Sequence, residues 1–257
     1  MDAVLSFDFL FLIFAIATAA GFVDSIAGGG GLITVPALLS LGLSPVQALA
    51  TNKLQATGGT LSASYYFISR GAVQLKSMKL AIGMTFVGSA LGTLLVQTID
   101  SSILEQIIPF LLIGIVLYFV FSPNVGDQDS LPKISIAAFS FSAALLIGFY
   151  DGFFGPGTGS FFAIAFVGLL GFSMTKATAH TKILNGTSNL ASLLFFILGG
   201  NVVWSAGLVM MAGQVIGARL GSRVVLKNGQ KLIRPMIVLV SLIMTIKLLW
   251  NHYGYLV

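Results

Sequence analysis

The sequence has no cysteine and two histidines, and only 8% of its 257 residues are charged. Without cysteine there is no disulfide, thiolate metal site, iron–sulfur cluster or covalent haem attachment. His180 and His252 stand too far apart to suggest a haem or zinc cluster, so neither metal nor cofactor is expected. A soluble domain carries about 25% charged residues, and a surface this poor in charge is not built for water on all sides. Apolar residues fill the chain instead: 56% are hydrophobic and the mean hydropathy is +0.99. At about 20 residues per span, the length leaves room for roughly eight to ten crossings. The 30 glycines sit inside apolar runs, where membrane helices tolerate them. The composition reads as a polytopic integral membrane protein in contact with the lipid bilayer.

The net charge of +5 and pI near 9.6 would suit nucleic acid, but lysine and arginine held in cytoplasmic loops explain the excess. No nucleic-acid partner is expected. The first twenty residues end like a signal peptide, at Ala17-Thr18-Ala19-Ala20, yet Asp2 and Asp8 carry the wrong sign for its leading region. That segment is read as a transmembrane helix.

Apolar periodicity predicts helices near 7–27, 45–69, 79–98, 103–122, 133–151, 183–198, 203–222 and 235–250. Two further apolar stretches, 32–43 and 159–172, are too short for an ordinary span. Each follows a glycine cluster and reads as a broken or re-entrant helix. The strongly polar connection 122–133 divides the chain.

The two parts resemble one another. Gly21-Phe22-Val23-Asp24, followed by Gly28 and Gly30, returns as Gly148-Phe149-Tyr150-Asp151, followed by Gly155 and Gly157. Further on, Ser44, Ala48, Ala50 and Lys53 match Ser173, Ala177, Ala179 and Lys182. Gly88 and Gly92 match Gly217 and Gly221, and Pro109 matches Pro235. An ordered series containing glycine, aspartate and lysine is more than shared hydrophobicity. We therefore divide the chain into an N-terminal repeat, 1–126, and a C-terminal repeat, 127–257. Loop 70–79 holds Arg70, Lys76 and Lys79, while its counterpart 199–208 is uncharged. Loop 98–105 holds only acids, while its counterpart holds Arg219, Arg223, Lys227, Lys231 and Arg234. Positive loops lie inside, so equivalent loops face opposite sides. The expected fold is all-α, with two inverted-topology repeats whose site lies where they meet. Loops 70–79, 122–133 and 223–234 would be cytoplasmic and both termini outside. Loop 122–133 fits least well, with two aspartates against one lysine.

Asp24, Asp151, Lys53 and Lys182 remain near membrane depth. Burying each in lipid costs about 2.5–3.5 kcal/mol on insertion scales, so they should face one another or a wet cavity. Two readings stand: mutual neutralisation in a packed core, or handling of substrate and protons. The clusters Ala27-Gly28-Gly29-Gly30-Gly31 and Gly155-Pro156-Gly157-Thr158-Gly159 would leave backbone unwound ahead of a short helix. Free N–H groups at such a break suit an anion, and close helix crossing is the plainer alternative. Neither cluster is followed by Gly-Lys-Ser/Thr, which argues against a nucleotide loop. Lys53, Thr57, Thr60 and Ser64 recur on one helical face, with Asn52 and Gln55 beside them. Thr181, Asn185, Ser188 and Ser192 do the same in the second half, flanked by His180, Lys182 and Asn189. Polar stripes in apolar helices need partners, either another helix or a ligand. His180 could titrate near neutral pH, though its counterpart is Thr51. The Gly-x-x-x-Gly spacings from Gly88 and Gly213 read mainly as close packing inside the monomer, a homodimer seam being the alternative. Arg219 and Arg223 read as snorkelling anchors.

The motifs Gly21-Phe-Val-Asp-Ser-Ile-Ala-Gly-Gly-Gly-Gly-Leu, Ala50-Thr-Asn-Lys-Leu-Gln-Ala, Gly148-Phe-Tyr-Asp-Gly-Phe-Phe-Gly-Pro-Gly-Thr-Gly-Ser and Ala177-Thr-Ala-His-Thr-Lys182 resemble the TauE/SafE family over nearly the whole chain. The resemblance implies a permease of the bacterial cytoplasmic membrane, with relatives linked to sulfite, sulfoacetate and related organosulfur anions. The expected function is secondary transport of a small anion rather than catalysis. An anion channel, an intramembrane enzyme and a non-transporting accessory subunit are the rivals. Substrate binding is expected of Lys53, Lys182, Asn52, Gln55, Thr181 and Asn185, with backbone donors at Gly29, Gly30, Gly157 and Thr158. Asp24, Asp151 and His180 would balance charge or carry protons.

Overall fold

Apolar stretches interrupted by glycine fold into helices of two lengths. The computed structural model describes residues 7–121 and 128–228, and no strand occurs among the described residues. The first half forms α1 (Phe7–Ala27), α2 (Gly30–Ser40), α3 (Pro45–Ser69), α4 (Leu75–Val96) and α5 (Ser101–Phe121). The second forms α6 (Ile136–Phe153), α7 (Thr158–Leu170), α8 (Met174–Leu198) and α9 (Trp204–Asn228). Within α6, Ser140–Ala144 is a π-helical stretch; its Ala144 carbonyl accepts a hydrogen bond from Thr85 Oγ1 at 3.3 Å. Asp8–Ala27, Leu75–Val96, Ile136–Phe153 and Trp204–Lys227 are long and apolar enough to cross a membrane, and α2 and α7 are shorter apolar helices. The all-helical membrane architecture expected from composition is therefore present. The helix expected over 235–250, with Pro235, lies outside the described residues, as do residues 1–6 and 122–127.

One boundary differs by half a helix. Hydropathy placed a helix over 183–198, but α8 begins at Met174. Thr178, His180, Thr181 and Lys182 interrupt the apolar run, yet all four side chains are buried against other helices. Tertiary packing carries the helix through them.

The two central helices start differently. Ser44, Pro45 and Gln47 close a capping box on α3: Gln47 N–H donates to Ser44 Oγ and Ser44 N–H donates to Gln47 Oε1 at 3.3 Å. Ser173 before α8 has no such cap. Its N–H donates instead to Asp129 Oδ1 at 2.6 Å, and Lys176 Nζ donates to Asp129 Oδ2 at 2.9 Å. These donors, the Ser173 N–H foremost, hold the Asp129 carboxyl below its usual value. Ser44→Ala is expected to cost about 1 kcal/mol, read as a melting temperature lower by about 2–4 °C in detergent.

Helices α3 and α8 occupy the centre, pack against each other, and bury most of their residues. Around them α1 packs on α9 and α4 on α6, while α3 also meets α9 and α8 meets α4. Large apolar side chains such as Phe11, Leu91, Phe141, Leu146 and Leu220 stay exposed on the outer helices. A surface of this kind belongs against lipid tails.

Glycine sets how closely the outer pairs approach. A Cβ on Gly88 or Gly92 would lie 2.1 Å from the carbonyl oxygen of Leu145 or Phe149, and one on Gly152 would lie 2.0 Å from that of Ser89. On the other pair, Gly217 and Gly221 face the Thr18 and Phe22 carbonyls in the same way. Both Gly-x-x-x-Gly faces are thus occupied inside the chain, as the packing reading held, and neither is a free dimer seam.

Candidate functional site

Each short helix follows a glycine break. Between α1 and α2 the chain passes through Gly28 at φ +75°, and between α6 and α7 through Gly155 at φ +98° and Gly157 at φ +83°. L-residues with a Cβ disfavour these backbone angles. The two breaks abut: a Cβ on Gly28 would lie 2.4 Å from Gly159 C and Ser160 N, and one on Gly159 would lie 2.5 Å from Gly28 Cα. Ser160 Oγ donates to the Ala27 carbonyl across the junction. Unwound backbone at membrane depth is tolerated where protein covers it, and here each break covers the other.

The four charged residues form two ion pairs beside this crossing, each joining one half of the chain to the other. Lys53 Nζ on α3 donates to Asp151 Oδ1 on α6 at 2.7 Å, with the side chains 1% and 2% exposed. Asp151 also accepts from Thr158 Oγ1 at 2.9 Å and, through Oδ2, from Ser188 Oγ. Lys182 Nζ on α8 donates to Asp24 Oδ2 on α1 at 2.9 Å and to the Asp24 carbonyl. Asp24 is 16% exposed, and its Oδ1 accepts the Gly30 N–H of α2 at 3.2 Å. Each pair joins one lysine to one aspartate, so the charges balance within each pair. In both halves an aspartate carboxylate meets the first turn of a short helix, where the partial positive charge of the helix end favours an anion.

The polar stripes divide between two tasks. Thr57 and Thr60 bond back to carbonyls of their own helix. Ser64 donates across to the Lys182 carbonyl at 2.8 Å, and Ser89 links α4 to Ser188 and Ser192. These tie helices together. Asn52 Oδ1 accepts from Thr34 at 2.6 Å and from Gln55 at 3.0 Å, while Gln55 Oε1 is buried without a partner among the described residues. Asn185 Oδ1 accepts from Asn189 at 3.1 Å. Thr181 Oγ1 is also buried and, among the described residues, unpaired. Gly29 and Gly157 immediately precede α2 and α7. His180 is apart from the ion pairs: its ring lies against Phe166 and Phe172, and Nδ1 meets the Lys176 carbonyl at 2.8 Å. Arg219 lies over the Tyr65 and Tyr66 rings.

Sequence reasoning missed three of these roles. Ser188 appeared only as a stripe residue, although it donates to Asp151. Thr34, which holds Asn52, lies in a short apolar helix and carried no signal. Thr178 Oγ1, like Thr181 Oγ1, is buried without a partner among the described residues; its place one turn before Thr181 was the available clue.

Membrane-spanning helices packed around a buried, charged, glycine-broken centre define a multi-pass membrane protein of the transporter class. The chain belongs to the TauE/SafE family, since the family profile described as "Sulfite exporter TauE/SafE" matches residues 13–248. It is 57% identical over 243 residues to the "Probable membrane transporter protein YfcA" of Escherichia coli K12, covering 95% of this chain and 90% of that protein. A "Probable membrane transporter protein" of Haemophilus influenzae is 51% identical over 250 residues, covering 96% and 98%. The "Probable membrane transporter protein ORF9" of a Sinorhizobium species is 48% identical over 245 residues, covering 95% and 94%. No solved structure gives a significant match.

Proposed function

We propose that the chain is a secondary transporter of a small anion, a sulfur oxyanion or organosulfonate, working by alternating access in the bacterial cytoplasmic membrane. The observation that carries the proposal is the placing of two cross-half lysine–aspartate pairs where two broken helices touch. Buried ion pairs add little stability, because desolvation offsets their attraction. A centre of fixed charges, backbone donors and hydroxyls is suited to receiving an anion. In this reading Lys53 and Lys182 supply positive charge, Gly29, Gly30, Gly157 and Thr158 lie at the helix starts, and Asn52, Gln55, Thr181 and Asn185 orient the ligand. The aspartates balance charge or carry protons.

Reciprocal packing supports two inverted repeats, 1–126 and 127–257. Helix α1 of the first half packs on α9 of the second, and α6 of the second packs on α4 of the first. Rocking one repeat against the other would expose the centre to alternate sides. Under that plan loops 70–79, 122–133 and 223–234 are cytoplasmic and both termini outside. The Lys176 partner of Asp129 offsets one of the two aspartates that fit the middle loop poorly. A homodimer would have to use surfaces other than the Gly-x-x-x-Gly faces.

The test is uptake of labelled sulfite, sulfoacetate, taurine and thiosulfate into proteoliposomes, with and without a pH gradient. Gradient-sensitive uptake of one anion is expected, and it should vanish in folded protein carrying both Lys53→Ala and Lys182→Ala. Undiminished uptake without the lysines would place the site elsewhere. Continuous flux without coupling to any gradient would favour a channel.

A further inference from the structure

The two ion pairs occupy matching places in the repeats but differ in how tightly they are closed. Asp151 is saturated by Lys53, Thr158 and Ser188, and is 2% exposed. Asp24 has one ammonium and one long backbone N–H, and is 16% exposed. Beside Lys182 there is a cavity of about 10 Å³, lined by Thr178, Thr181, Lys182 and the abutting backbones of Gly28 and Gly159. That volume is about one water's worth. Thr178 and Thr181 are 4% and 1% exposed, and neither hydroxyl has a partner among the described residues. A buried hydroxyl left unpaired costs free energy, and two lining the same cavity, which Lys182 also lines, call for an acceptor.

The first half has no such set. The sequence counterparts of Thr178 and Thr181 are Leu49 and Asn52, and Asn52 Oδ1 is already engaged by Thr34 and Gln55. Among the described residues the unpaired atoms of the first half are Gln55 Oε1, an acceptor whose amide would have to turn before it could donate to an anion, and Ser25 Oγ on α1, whose Cβ lies beside Gly221 of α9. Lys53 makes one hydrogen bond to Asp151, but a Cβ at Gly155 would lie 2.9 Å from its Nζ, so backbone closes that side.

We infer that Asp24 is a resident surrogate for the substrate: the transported oxyanion displaces its carboxylate from Lys182 and the α2 N-terminus and gains the Thr178 and Thr181 hydroxyls, while the Lys53–Asp151 pair stays closed in this conformation. The inference rests on the anion-transporter reading. It accounts for a cavity too small for an anion of four or five heavy atoms, since entry then requires a resident group to be displaced from Lys182. It also assigns Thr178 as a substrate-contacting residue and makes the two halves unequal partners.

Three variants test it on the full chain in detergent and in proteoliposomes, using whichever of the four sulfur anions the wild type carries. Thr178→Val with Thr181→Val removes donors to a charged ligand, so KM should rise about tenfold or more with the melting temperature unchanged or raised. Asp24→Asn removes the competitor, so equilibrium binding of that anion should tighten while turnover falls. Thr98→Val, at an exposed hydroxyl that bonds the Leu95 carbonyl far along the chain from the charged centre, should leave KM near the wild-type value. Unchanged KM in the threonine double variant, or weaker binding in Asp24→Asn, overturns the inference. If the wild type carries none of the four, the substrate reading fails, and dicyclohexylcarbodiimide labelling read by peptide mass still decides the asymmetry. Asp24 should be modified and Asp151 spared; equal modification, or modification of Asp151 alone, refutes it.

Discussion

Gly28→Ala is expected to leave little folded protein. Its φ of +75° costs an L-residue about 1–2 kcal/mol. The added Cβ would sit 2.4 Å from Gly159 C and Ser160 N, and these are backbone atoms of the opposing break, which no rotamer change can move. Overpacking of this kind adds about 1–3 kcal/mol where side chains can yield, and more where only backbone can. Against a typical stability of about 5–15 kcal/mol, the sum removes a large part of the margin. Gly42→Ala is the control: φ is +83°, but nothing among the described residues lies within 4 Å of the new Cβ, so it carries backbone strain without that clash. The measurement is the monodisperse fraction after detergent extraction, with the melting temperature of what survives. A Gly28→Ala protein as monodisperse and as heat-resistant as Gly42→Ala would mean that the two breaks do not touch.

Much of this arrangement was legible in the sequence because it rests on residue types with few alternative uses. Glycine clusters ahead of short apolar runs marked both breaks, and four charges left over after the loops marked the centre. Hydropathy placed the ends of α1 and α3 correctly. It failed at the start of α8, where Thr178 to Lys182 look like a polar interruption and are in fact buried partners of another helix. The pairing itself was beyond reach. Nothing local in the sequence says whether Lys53 faces Asp24 or Asp151, since the choice depends on how α3 and α6 cross. The unequal closure of the two pairs was hidden for the same reason. Ser188 and Gly59 are sequence counterparts, so only the fold reveals that one of them completes the Asp151 shell while the other packs against Gln214.

Asp151→Asn is expected to be the most damaging change at the charged centre, and a second substitution should repair most of it. The single variant leaves the Lys53 ammonium 1% exposed and facing a neutral amide. Stranding one member of a buried pair costs about 3–5 kcal/mol. Lys53→Met alone strands the carboxylate instead, although Thr158 and Ser188 still donate to it, so its loss should be smaller. In the double variant, Lys53→Met with Asp151→Asn, both charges are gone. The asparagine oxygen can still accept from those hydroxyls, and methionine fills the lysine stem's volume. Replacing a buried pair by neutral groups of similar size is often close to neutral, so the melting temperature should return towards the wild type. The coupling in the cycle should then be large, as for residues in direct contact. If the double variant stays as unstable as Asp151→Asn, the two residues are not paired in the folded protein. Uptake by the repaired protein separates the remaining roles. Recovery of uptake along with stability makes Lys53 a fastener between the halves and leaves the anion to Lys182. A stable protein that carries nothing makes Lys53 a ligand in its own right.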